Sequence, residues 1–200
     1  MRVRSVLFLA LTLTAAALFA EDAQPQQPFS IDKAHSSATF SVRHLMTNVP
    51  GRFRDVDGAI NIVPDNPGAS SVEFTIQAAS IDTANENRDK HLRSADFFDV
   101  EKFPTITFTS SEVTDATDTS AKLHGRLAMH GVEKPVVLDL QMHGEGKDPW
   151  GNVRAGFTAT TKLNRKDFGI IWNQALETGG ALLGDDVDIT LEIEGLVKQP

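Results

Sequence analysis

The sequence predicts an all-β domain, and within that class a closed eight-stranded antiparallel barrel ahead of a two-sheet sandwich. Three observations predict it. Apolar and polar residues alternate with a period of two in separate segments along the chain, the mark of strands with one buried and one solvated face. Linkers such as PDNPGAS (64–70) and HGVEKP (130–135) carry turn chemistry, which favours antiparallel pairing of neighbours. The chain has 200 residues, 40% hydrophobic and 23% charged, with no internal repeat, and so fits one globular domain. A closed barrel has no open edge, which tips the balance towards it over a sandwich.

The elements follow in order. Residues 1–20 begin with the basic MRVR and continue as an uncharged apolar run, the pattern of a cleaved secretory signal. Cleavage after Ala20 is the simplest reading and Ala17 the alternative. An uncleaved anchor is disfavoured, because the run is shorter than the ~20 residues that span a bilayer. Residues 21–29 read as a flexible leader and 30–198 as the barrel domain. In 37–45, Ala38, Phe40, Val42 and His44 share one face. The segment 51–63 slips phase between Phe53 and Val56 and holds Gly58 at its centre, so a bulge or bend is expected there. Val72, Phe74 and Ile76 mark a third strand, and Ile106 and Phe108 a fourth. Leu123, Leu127 and Met129 mark the fifth, and Leu138, Leu140 and Met142 the sixth. Val153, Ala155, Phe157 and Ala159 mark the seventh, and Val187, Ile189, Leu191 and Ile193 the eighth.

Two stretches break the period. In 82–99, Thr83 and Glu86 have capping-box spacing, and Glu86–Lys90 and Asp89–Arg93 are acid-then-base pairs four apart; a short helix with a solvated charged face is expected. It would carry Phe97 and Phe98 inward over one barrel end. Arg88, Asp89 and His91 would then shape the rim. The segment 164–186 is long for a hairpin and carries Phe168, Ile170, Ile171 and Trp172, as a lid or plug does.

The chain holds no cysteine, which excludes disulfides and a lipid-modified N-terminal cysteine. Losing Arg2 and Arg4 with the signal takes the formal charge from −8 to −10. An acidic domain without a basic stripe is a poor candidate for nucleic acid or anionic lipid heads. No HExxH, GxSxG, Rossmann or phosphate-loop motif is present among the 200 residues, so the sequence asks for no metal, cofactor or catalytic residue. His44, on an apolar face, reads as a bonded core histidine or, in a hollow barrel, as a polar anchor. An enzyme working through His44 or His91 is the alternative reading. An isologous homodimer is the expected form of any self-association.

Phenylalanine supplies ten aromatic residues after the signal, beside two tryptophans and no tyrosine. Composition alone favours a filled core; a hollow barrel would instead have aromatic walls without hydroxyls. The blocks IDKAHSSATFSVRHL, GRFRDVDGAI, RDKHLRSADFFDVEKFPTITFTS, LHGRLAMHGVEKPVVL and GDDVDITLEIEG resemble the YceI-like family of bacterial periplasmic proteins over roughly residues 29–197. The resemblance implies a lipocalin-like barrel that holds a polyisoprenoid, isoprenoid quinone or fatty-acid-derived amphiphile, a non-catalytic role, and a periplasmic location without a stable membrane anchor. The expected ligand-facing residues are Phe40, Val42, His44, Phe53, Phe74, Ile76, Phe97, Phe98, Ile106, Phe108, Leu127, Phe157, Phe168 and Trp172.

Overall fold

A computed structural model describes residues 26–177 and 179–197. The expected signal 1–20 lies outside them, as does most of the leader. Among the described residues eleven strands form one sheet. In chain order they are β1 (Gln27–Ile31), β2 (Ser37–His44), β3 (Thr47–Phe53), β4 (Val56–Ile62), β5 (Ser71–Gln77), β6 (Ile81–Asp82), β7 (Thr105–Thr114), β8 (Ser120–Met129), β9 (Val132–Lys147), β10 (Val153–Asn164) and β11 (Leu183–Val197). One helix, α1 (Glu86–Arg93), lies between β6 and β7.

These strands trace eight paths around a closed antiparallel barrel. β1 and β2 are one path interrupted at 32–36, because both pair with β11. β3 and β4 are another, broken at 54–55; β3 pairs with β2 and β4 with β1. β5 and β6 are the third, interrupted by a 3-10 turn at Ala78–Ser80. β7 to β11 run as successive neighbours except that the β11 path is reached by the long loop 169–182. The ring closes where Phe29 faces Val197 and Ile31 faces Gly195. Long-range ladders of this kind leave few backbone groups unpaired, and closure removes the edges.

The leader ends earlier than expected. Gln27–Ile31 is the closing strand, and Phe29 is fully buried. The expected bend near Gly58 is present as the 54–55 break. Gly58 itself lets two strands approach: a Cβ there would lie 2.3 Å from the Glu73 carbonyl oxygen, which no side chain tolerates.

The helix forms where expected but is held differently. Its N-cap is Asn85, whose side chain accepts the Arg88 N–H at 3.0 Å. Thr83 instead turns to the helix interior side, where its N–H and hydroxyl donate to Asp89. Asp89 is buried at 6% exposure. Arg88 donates to the Thr83 carbonyl at 2.7 Å, and Arg93 to the Ala79 and Ile81 carbonyls at 2.7 Å each. Asp89 and Arg93 are thus engaged with β6 and its approach rather than with each other. Arg88, Asp89 and Arg93 fasten α1 to the barrel, while Glu86 and Lys90 stay exposed on the expected solvated face. Among the described residues no helix is long and apolar enough to cross a membrane.

Candidate ligand chamber

Inward side chains of the barrel leave two cavities, one near each end. The upper cavity, below α1 and the loop 169–182, measures about 160 Å³. The lower one, towards β1 and the turns at 64–70 and 116–120, measures about 540 Å³. Their walls follow from the two-residue period of each strand. On β5, Ile76 faces the upper cavity, Phe74 both, and Val72 the lower. On β9 the same three levels are Val136, Leu138 and Leu140. On β11 they are Ile189, Leu191 and Ile193. On β8, Leu127 is upper and Leu123 lower, and the middle position is Gly125.

Ten of the expected residues come together on the upper wall: Phe40, Val42, Phe53, Phe74, Ile76, Phe97, Phe98, Ile106, Phe108 and Leu127. Phe98 meets the edge of Phe53 at 5.6 Å between ring centres, so the α1 excursion supplies part of the wall. Phe157 faces the lower cavity. His44, Phe168 and Trp172 line neither cavity. His44 ends β2 opposite Thr47 and Leu183; its phase is inward, but its height is that of the hairpin rim. Phe168 is 2% exposed and backs the wall, its carbonyl accepting from His130 Nδ1 at 3.0 Å. Trp172 packs on His91 and Phe97 at 5.0 and 5.1 Å. This clasp joins the loop 169–182 to the α1 segment above the upper cavity.

The upper wall also includes residues outside the expected ligand-facing set, among them Leu92, Met129, Leu138, Ile170 and Leu191. Met129, Leu138 and Leu191 sat on the apolar faces already read, so alternation carried their signal. Arg165 had no such signal. It is 5% exposed at the upper cavity's margin. Its Nε donates to Gly184 O at 2.9 Å, and its Nη1 to Ile170 O at 2.8 Å and Trp172 O at 2.7 Å. Its Nη2 reaches Asp185 at 3.2 Å, and Lys166 also holds Asp185 at 2.8 Å. Burial pushes the Arg165 pKa down, while Asp185 works against that shift. Lys166 holds the Asp185 carboxyl below its usual value.

Charged clusters lie outside the lumen. Arg154 gathers Asp148 at 2.9 Å, Asp32 at 2.6 Å, and Glu194. Its guanidinium holds Asp32 and Asp148 well below the ordinary carboxylate range. Ligand atoms of Asp32, His35 and Glu194 lie within 4.8 Å of one another, but the Arg154 guanidinium already bonds two of them, where a cation would have to sit. His91 donates to Asp96 at 2.9 Å. The upper wall is almost wholly hydrocarbon, with Thr39, Thr107, Thr161 and Arg165 as its polar members. Such an enclosure suits an apolar molecule with few directional contacts.

The sequence pattern of the YceI-like domain matches residues 29–195. The chain belongs to the YceI-like family. A UPF0312 protein of Vibrio cholerae serotype O1 (strain ATCC 39541 / Classical Ogawa 395 / O395) is 43% identical over 166 residues, covering 82% of this chain and 84% of that protein. The solved YCEI protein of Campylobacter jejuni is 33% identical, with a TM-score of 0.68 over 78% of this chain and 90% of that one. A polyisoprenoid binding domain from Saccharophagus degradans superposes with a TM-score of 0.63 at 14% identity, over 85% of this chain and 98% of that one. At that identity the likeness is one of fold, and it agrees with the YceI-like, lipocalin-type closed barrel described above.

Proposed function

We propose that this YceI-like protein binds, stores or carries a long-chain apolar lipid inside its barrel, without catalysis. A polyisoprenoid, an isoprenoid quinone or a fatty-acid-derived amphiphile fits the chemistry. The apolar upper chamber, walled by phenylalanines with threonine hydroxyls and one engaged arginine, carries the reading. The name of the Saccharophagus degradans domain points the same way. Burying about ten methylenes at ~0.8 kcal/mol each contributes roughly 8 kcal/mol, near micromolar affinity before ordering costs. No charged clamp is needed at that scale. An enzyme using His44 or His91 would need an imidazole facing the lumen. His44 stands on the rim, and His91 is engaged with Asp96, Phe97 and Trp172. The apolar run at 1–20 supports action in the periplasm after export, which cell fractionation with N-terminal sequencing of the exported protein would test.

Replacing Phe74 and Phe108 together with aspartate puts two charges in the lumen. The expected result is a folded barrel, by circular dichroism, that no longer retains lipid. A folded variant that still copurifies with lipid would remove the lumen from the proposal.

A further inference from the structure

Phe74, Phe108, Leu138 and Leu191 are the residues that line both cavities. They come from β5, β7, β9 and β11. Phe74 and Phe108 are direct cross-strand partners, so they stand at one height on one wall. β9 and β11 belong to the opposite arc of the ring, and their leucines meet the rings from across the lumen. We propose that these four side chains form a waist that sorts ligands by chain length, and that the lower cavity is the site of a long tail's distal carbons.

This inference rests on the lipid-binding reading and deepens it. The upper cavity of about 160 Å³ resembles an engineered cavity of ~150 Å³ that takes one benzene. About six carbons fill it. A longer tail has to cross the waist, and the lower cavity of about 540 Å³ lies within the usual range for ligand pockets. The aperture has a specific determinant. At waist height β8 carries Gly125, and the Phe108 ring lies in the space its missing side chain leaves. A Cβ on Gly125 would sit 2.4 Å from Phe108 Cζ. That Cβ would also lie 2.5 Å from the Thr109 carbonyl oxygen, so a side chain there displaces the β7–β8 pairing as well as the ring. Glycine on β8 therefore keeps the passage open, and the waist leucines set how wide it is.

The test is a binding series with prenol, farnesol, geranylgeraniol and solanesol, read by native mass spectrometry and by displacement of a fluorescent fatty acid. Wild type is compared with Leu138→Phe, which narrows the waist, and Leu138→Ala, which widens it. Narrowing is expected to weaken geranylgeraniol and solanesol by about tenfold or more, because excluding two methylenes already does so. Prenol, whose five carbons fit the upper cavity, should change by less than about fourfold, since loss of a single methylene costs about that much. Leu138→Ala is expected to shift preference towards the longest chain, and it reports on the waist even where a narrowing variant fails to fold. Equal changes at every length, or none, across the folded variants would overturn the waist. If wild type binds no alcohol of any length, the lipid-binding reading itself fails, and the two failures are thereby distinguished.

Discussion

Arg165→Met should loosen the roof of the upper chamber. The side chain volume is roughly kept, and the guanidinium is lost. Three backbone carbonyls, of Gly184, Ile170 and Trp172, then lose a charged donor. Ile170 is 5% exposed, so its carbonyl has little access to water; such an orphan costs about 1–3 kcal/mol. The other two carbonyls are less enclosed and regain part of their loss from solvent. Removing one member of a buried, fully bonded charge network costs about 3–5 kcal/mol in comparable cases. Release of the guanidinium from burial works in the opposite direction, as its lowered pKa shows, so the low end, about 3 kcal/mol, is expected. For a domain of this size each kcal/mol moves Tm by about 2–4 °C, which gives a drop on the order of 10 °C. Thermal unfolding by circular dichroism reads the drop. Hydrogen exchange reads its location, with faster exchange expected at the amides of 170–184 and little change in β7 and β8. Arg165→Lys should recover only a minority of the loss, because one ammonium cannot reach carbonyls on three sides. A Tm within about 3 °C of wild type, about 1 kcal/mol at this size, with unchanged exchange in 170–184, would refute this role for Arg165.

Three further outcomes are expected. Phe29→Ala removes a fully buried ring from the closing strand and should cost about 3–5 kcal/mol, measured as a urea midpoint; a loss under about 1 kcal/mol, within the range of an ordinary surface substitution, would mean that β1 does not close the barrel. Asp89→Ala strands the Thr83 N–H and leaves the hydroxyl only its bond from Arg88 Nε; it should cost about 1–3 kcal/mol, with exchange rising first in 82–93, and uniform exchange across the barrel would speak against a local anchor. Asp82, which accepts the Ala84 N–H and both Arg54 and Arg52, has its pKa lowered to about 2, below the ~3.9 of an unfolded chain. Its contribution to stability is complete above about pH 4 and is lost as pH falls towards 2. Urea midpoints between these limits should fall less steeply in Asp82→Asn than in wild type; parallel curves would contradict the assignment.

The barrel was legible because strict alternation is a direct imprint of one buried face. The same alternation placed Phe40, Phe74, Phe108 and Leu127 on the lumen. β1 was hidden by its neighbours in sequence: Gln27–Ile31 follows a glutamine- and proline-rich stretch, and its partners lie at 59–62 and 195–197. A five-residue strand whose ladder is wholly non-local leaves little local signal. The cap of α1 lies two residues later than expected: Thr83 has the capping-box spacing with Glu86, but Asp89 takes Thr83 for itself and Asn85 caps through its own side chain. His44 shows the limit of phase: alternation gives the side of a strand and says nothing of height along the barrel. Trp172 and Arg165 act through a loop whose path depends on carbonyls up to 19 residues away. The two-chamber division was out of reach for a similar reason. It depends on which residues of β5, β7, β9 and β11 meet at one level, and the stagger of the barrel decides that.

Native mass spectrometry of the mature protein, purified without detergent and then denatured and extracted, tests the central claim most directly. The expected result is a stoichiometric apolar adduct that extracts as a long-chain lipid. A bare polypeptide mass, still bare after incubation with isoprenoid alcohols, quinones and fatty amides, would contradict it and make the barrel a filled one.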